Sequence, residues 1–185
     1  MTTRNVAVIV GSLRKESFNK RIAQELIKAA PPSLKFTFIP IGDLPLFNED
    51  LEAAPPAAWT TFRQHIKAAD AVLFFTPEYN RSVPAALKNA LDVGSRPYGQ
   101  SVWNGKPGAI VSVSVGGIAG FGANHHLRQS LVFLNVPAMP QPEAYIGNAS
   151  TLFDAAGNLT NDTTKGLLAK FAKAFAAWVE QNVAK

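Results

Sequence analysis

The sequence predicts an α/β fold, a doubly wound open parallel sheet with helices on both faces. Two observations carry that reading. Three runs, Asn5–Gly11, Ala71–Pro77 and Gly108–Val115, are continuous, apolar and rich in β-branched residues, as strands buried on both faces must be. Segments of helical spacing alternate with them, and that alternation is the pattern of crossover-connected parallel strands.

Each element has its own local reason. Phe18–Ala29 places Ile22, Leu26 and Ala29 on one helical face, and Pro31-Pro32 ends it. Leu34–Pro40 alternates as a strand near a sheet edge does. Residues 40–54, with Gly, Pro, Asn and Asp, read as loop, and Ala57–Ala69 as a helix. Val83–Val93 reads as a helix with Ser82 as its N-cap and Pro84 in the first turn. Asn124–Leu134 is a further helix. Ala138–Ile146, despite three prolines, contains a short strand. Thr160–Val183 closes the chain as an amphipathic helix with Leu167, Leu168, Phe171, Phe175 and Trp178 inward.

Composition narrows the functional classes. The 185 residues fit one domain spanning 1–185, with no linker, repeat or low-complexity segment. There is no cysteine, which excludes disulfides, iron–sulfur clusters and thiol catalysis. The three histidines, His65, His125 and His126, have no metal-ligand spacing, so no metal site is expected. His125 and His126, at the start of a helix, read as packing or subunit-contact residues. A net charge of +5 favours anionic partners, but Lys and Arg are scattered without interleaved aromatics, which argues against nucleic acid. The apolar run Val6–Val10 is too short for a signal segment and no stretch is long and apolar enough to span a bilayer. A cytoplasmic protein is expected.

In such sheets ligands bind beyond the carboxyl ends of the strands, near the point where the strand order reverses. Three loops therefore matter. The first, Gly11–Asn19 (GSLRKESFN), opens a helix, where backbone N–H groups and the helix dipole attract anions. It is neither a GxGxxG fingerprint nor a P-loop. Arg14 and Lys15 stand where the dipole disfavours cations, a conflict that a bound phosphate monoester resolves; otherwise Ser17 serves only as a cap and both cations face water. The second, Thr76–Pro84 (TPEYNRSVP), is stiffened by Pro77 and displays backbone donors and acceptors suited to the edge of a flat heterocycle. Tyr79 can cover that plane, and Asn80 either binds ligand or turns the chain. The third, Ser114–Asn124 (SVGGIAGFGAN), has glycines at 116, 117, 120 and 122 that permit positive φ and close backbone approach.

These loops resemble the NADPH-dependent FMN reductase family, and within it the bacterial quinone and chromate reductases. The matching pieces are VGSLRKESFNKRIA, TPEYNRSVPAALKNALD, and SVGGIAG with the following HLRQ at His126–Gln129. The resemblance covers nearly the whole chain. It implies a flavodoxin-like fold and noncovalent FMN. Ser12, Arg14, Ser17, Phe18 and Asn19, after Gly11, would surround the phosphate. Pro77, Glu78, Tyr79 and Asn80 would border the isoalloxazine ring, and Ser114, Gly116 and Gly117 its pyrimidine side and the ribityl chain. Arg81 would face substrate at the site mouth, or else form an ion pair across a subunit interface with Glu143.

The implied activity is hydride transfer from NADPH or NADH to the flavin and then to quinones, flavins, azo dyes or oxyanions such as chromate, in ping-pong order. The chemistry belongs to the cofactor, so no side chain is assigned a catalytic role; Glu78 as an acid or base is set aside in favour of loop geometry and solvent exposure. Dimers or tetramers, with homotetramer the expected form, are implied as well. The competing reading is a flavodoxin-type electron carrier without nicotinamide activity. Such carriers are acidic and this chain is basic, which favours the reductase.

Overall fold

In the computed structural model, which describes residues 2–183, five strands form one parallel sheet. β1 (Arg4–Val10), β2 (Leu34–Phe38), β3 (Ala71–Thr76), β4 (Gly108–Val113) and β5 (Ala144–Ile146) lie in the order β2-β1-β3-β4-β5. This is the strand order of flavodoxin-like doubly wound sheets. The order reverses between β1 and β3, because the chain leaves β1 for one edge and returns to β1's other side. Loops leaving those two strands are forced apart there, and a crevice opens between them.

The helices are α1 (Phe18–Lys28), α2 (Ala57–Ala68), α3 (Ala85–Ser95), α4 (Phe121–Phe133) and α5 (Asp162–Asn182). Side chains alternate along each strand and so divide the core in two. Val6, Val8, Leu73, Phe75, Val111 and Val113 pack under α1 and α5. Ala7, Ile9, Val72, Phe74 and Ile110 pack under α2, α3 and α4. The strands read as continuous apolar runs because both of these layers need apolar partners.

Boundaries shift where one local signal outweighed another. Ser82 does not cap α3; Pro84 occupies that position, without any side-chain cap, and Ser82 bonds elsewhere. α4 begins three residues before the expected Asn124, because Gly120 enters it at φ +72° and frees Phe121 to start the helix. The short strand expected within Ala138–Ile146 is the three-residue β5 at the sheet edge, consistent with prolines that cannot donate to a ladder. In α1 the buried face is Ile22, Ala23 and Leu26, while Ala29 is exposed at the end of the helix. In α5, Leu168, Phe171 and Phe175 are buried as expected, and Leu167 and Trp178 only partly.

Trp103 locks the far end of α3. It is fully buried and its indole N–H donates to Leu91 O at 3.0 Å. Gly94 leaves room for it: a Cβ there would lie 2.4 Å from the indole nitrogen. Gly94→Ala is expected to destabilise the fold by about 1–3 kcal/mol through overpacking, read as a lower urea midpoint at unchanged slope.

Candidate active site

The first loop leaves β1 between two packed helices. Gly11 N donates to Phe75 O at 2.8 Å, and a Cβ on Gly11 would stand 3.0 Å from Pro84 Cγ, so α3 closes onto this turn. Ser17 is buried and its Oγ accepts from Lys20 N at 3.2 Å, so it does cap α1. That bond uses an acceptor lone pair and leaves the hydroxyl proton available. Arg14 and Lys15 are exposed and make no ion pair among the described residues, whereas Glu16 is held by Arg21. Asn19 is buried. Its Nδ2 donates to Val113 O at 3.4 Å, and its Oδ1 is the buried side-chain polar atom left without a partner among the described residues. Leaving such an acceptor unmet costs about 1–3 kcal/mol.

The second loop is a tight hairpin turn. Tyr79 N donates to Ser82 O at 3.1 Å and Ser82 N to Tyr79 O at 3.0 Å, with Asn80 and Arg81 between them at φ +51° and +64°. Two consecutive left-handed residues define a type I′ turn, usually filled by Asn-Gly. Of the two readings for Asn80, its place in the turn is therefore visible. Arg81 in this conformation is strained, at a cost of roughly 1–2 kcal/mol. Its guanidinium donates to Glu78 Oε1 at 3.2 Å. Glu143, its expected partner across a subunit interface, accepts from Tyr145 of the same chain. Glu78 is not a solvent-facing carboxylate: its side chain is 11% exposed and Oε2 accepts from Ala123 N at 3.0 Å.

The third loop is pinned from below. Ser112 Oγ donates to Ala119 O at 2.8 Å, and Asn124 Nδ2 donates to Ser112 Oγ at 3.4 Å. Ser114 Oγ accepts from Gly116 N at 3.1 Å. Of the four glycines only Gly120 takes a positive φ, while Ala119 takes one unforeseen, at +59°. Gly116 and Gly117 have nothing beyond Ser114 near the place of a Cβ, so their backbone borders open space.

The three loops meet. One cleft of about 120 Å³ is lined by Ser12, Arg14, Phe18 and Asn19 from the first, Pro77, Glu78 and Tyr79 from the second, and Ser114 and Val115 from the third, with Val113 at its base. It opens at the β1/β3 reversal. Gly11 and Ser17 are buried, while Asn80, Gly116, Gly117 and Arg81 do not line the cleft. Ser112 and the Asn124 side chain were not singled out from the sequence, because each acts by holding a loop and carries no motif; Ser82 and Gly122 were, but as a helix cap and a positive-φ glycine and not for these contacts. A more apolar cavity of about 180 Å³ lies between α2 and α3, beside Phe47 and Trp59. Two of its cations are already engaged: Arg63 donates to three backbone carbonyls and Arg96 to Glu49 and Glu52.

On the other side of the third loop, His125 and Tyr145 stack with Phe121, His125 Nε2 lies 3.0 Å from Tyr145 Oη, and that hydroxyl donates to Glu143 Oε1 at 2.7 Å. Both histidines are exposed, and each makes a side-chain contact within the chain: His126 Nδ1 lies 2.9 Å from Ser82 Oγ. Among the described residues no cluster of His, Asp and Glu could hold a metal, and no helix is long and apolar enough to cross a membrane.

Fold and cleft define a flavin-dependent oxidoreductase class, and sequence comparison assigns it: residues 4–151 match the NADPH-dependent FMN reductase family, to which the chain belongs. FMN and a nicotinamide donor are that family's cofactors. The chain is 63% identical over 179 residues to a quinone reductase of Pseudomonas putida, covering 96% of each protein. It is 48% identical over 177 residues to a 2-hydroxy-1,4-benzoquinone reductase of a Burkholderia species, covering 96% and 97%. Among solved structures, the flavoenzyme NAD(P)H:(acceptor) oxidoreductase FerB of Paracoccus denitrificans superposes with a TM-score of 0.92 at 41% identity, over 98% of this chain and 100% of that one. A flavodoxin of Pseudomonas aeruginosa superposes at 0.58 with 19% identity over 92% and 98%, a likeness of fold alone.

Tyr145 is pushed up to about 12, first by burial and then by its bond to the Glu143 carboxylate and that group's charge. A raised pKa in the folded state means that this group's stabilisation is complete below the unfolded value near 10 and is lost as pH rises toward 12. Tyr145→Phe is expected to flatten the fall in Tm between pH 10 and 12, measured by thermal unfolding across that range.

Proposed function

We propose that this chain is an FMN-dependent reductase that passes two electrons from NADPH or NADH to quinones. The observation that carries the reading is the convergence of three loops on one cleft at the strand-order reversal, in a chain closely similar to quinone reductases. FMN, when bound, supplies hydride acceptance from the nicotinamide and donation to the acceptor. The residues hold and orient it. Arg14 offers a charge-assisted donor to the phosphate, beside Ser12, Ser17 and the first turn of α1. Asn19 Oδ1 faces a need for a donor, which a ribityl hydroxyl meets and a phosphate does not. Pro77, Glu78 and Tyr79 form the wall for the ring, half-exposed Tyr79 at its edge and Asn80 in the turn just beyond it. Ser114, Gly116 and Gly117 present backbone to the pyrimidine side.

Further parts of the proposal rest on this one. The whole of residues 1–185 acts as one FMN domain, in the cytoplasm where nicotinamide donors are regenerated. It assembles as a dimer or tetramer, supported by the exposed Phe121, Val132 and Phe133 along α4. Donation and acceptance alternate at one cleft, giving ping-pong order, and oxyanions such as chromate are accepted beside quinones. Arg81, 69% exposed, reaches substrate at the cleft mouth.

Turnover of the purified yellow protein with NADPH and NADH against quinones, FMN and chromate tests the proposal. Parallel-line kinetics with quinone are expected; reduction by neither nucleotide would leave only the electron-carrier reading. Arg14→Ala is expected to weaken FMN binding by about 1.5–3 kcal/mol and riboflavin binding far less, by fluorescence titration. If the basic surplus surrounds the cleft, raising ionic strength lowers kcat/KM for NADPH and chromate and leaves the neutral quinone half-reaction unchanged.

A further inference from the structure

α4 starts without a cap of its own. Gly120 stands at its N-cap position with no side-chain hydrogen bond, and its first turn holds no acidic residue. Its N-terminal N–H groups and dipole therefore call for an acceptor from elsewhere. Glu78 supplies it from 45 residues away: Oε2 accepts from Ala123 N, the third residue of the helix, at 3.0 Å. A second tie lies one turn along, where Ser82 Oγ meets His126 Nδ1 at 2.9 Å. Between the two ties the surfaces touch without slack. A Cβ on Gly122 would fall 2.8 Å from Arg81 O and 2.9 Å from Glu78 Oε2.

From this arrangement we infer that Glu78 is a positioning residue whose carboxylate clips the ring-facing turn, residues 77–82, to the start of α4 and so sets the width of the flavin slot. The inference deepens the FMN reading above and rests on it. The turn contains strained Arg81, a conformation that persists only where surroundings hold it. The third loop ends in α4, so capping α4 from the turn makes the second and third loops one body. A flat ring bordered by both loops needs their spacing preset; otherwise binding must supply the ordering. Glu78 thus contributes to affinity for the ring without transferring a proton. Its charge is met on one side by the helix dipole and on the other by Arg81 at 3.2 Å. An uncharged acceptor of the same shape keeps the bond to Ala123, so acceptance rather than charge is the requirement.

The test compares Glu78→Ala, Glu78→Gln and Gly122→Ala in the full chain stripped of flavin, titrated with FMN and with riboflavin. Wild type should bind both. Glu78→Ala should weaken both by the same factor, about tenfold, because the loss falls at the ring end that the two ligands share. Glu78→Gln should recover most of that loss through its amide oxygen. Gly122→Ala should reproduce the Glu78→Ala defect with the carboxylate intact, since it wedges the same two surfaces apart. Backbone hydrogen exchange in flavin-free Glu78→Ala should quicken in residues 79–82 and 121–124 together, a readout independent of whether Gly122→Ala folds. Riboflavin affinity within threefold of wild type in Glu78→Ala, or unchanged exchange in both segments, overturns the inference. So does a Glu78→Gln variant as weak as Glu78→Ala beside a normal Gly122→Ala, which would make Glu78 a charged ligand. A wild-type chain that binds neither flavin overturns the FMN reading itself.

Discussion

An all-parallel sheet puts the starts of the helices that follow its strands on one rim, and each start carries N–H groups that its own helix cannot satisfy. The rest of this structure depends on how those starts are met. α1 is met by Ser17 within its own loop. α4 is met by Glu78 from the neighbouring loop. α3, begun by Pro84, lacks one donor at the outset and has no side-chain cap. These solutions differ in reach. The local one leaves Arg14 exposed on a phosphate-sized turn, while the long-range one ties two loops into a common wall.

The cleft that results is short of chemistry and rich in geometry. Among the described residues its titratable lining is Arg14, Glu78 and Tyr79, and the Glu78 carboxylate is already engaged by Ala123 N and Arg81. What it offers is backbone held close to open space, one cation at a helix start, and a buried amide oxygen awaiting a donor. That inventory suits a site whose reactivity is brought in by a bound cofactor. The strained Arg81 in its turn fits the same pattern: strain persists at sites where the surroundings hold it.

Charge plays a smaller part than geometry. Several of the chain's Lys and Arg residues are engaged away from the cleft, Arg4 with Glu180, Arg63 and Lys106 with backbone carbonyls, and Arg96 with two glutamates. The cations left beside the rim are Arg14 and Lys15 before α1 and the exposed Arg81 of the second loop.

The fold was legible because strands buried on both faces admit only apolar residues, so β1, β3 and β4 stand out as runs in the sequence whatever their neighbours are. The three loops were legible for a related reason: they follow those runs, and Gly, Pro, Ser and Asn cluster where the backbone must turn. Helix ends were less so. Ser82 has the chemistry of a cap, but its hydroxyl is drawn to His126, and α4 begins early because a left-handed Gly120 permits it. Of the four glycines in the third loop, Gly122 matters for a contact with Arg81 O, not for its own φ. By itself, then, the sequence determined the sheet, its two-sided burial and the loops that meet at its rim, since each follows from local pattern. Only the tertiary structure decided that Glu78 caps α4 and that Asn19 keeps one acceptor unpaired. Those outcomes depend on which of several equally suitable donors and acceptors comes within 3 Å, a matter of packing across long separations in the chain.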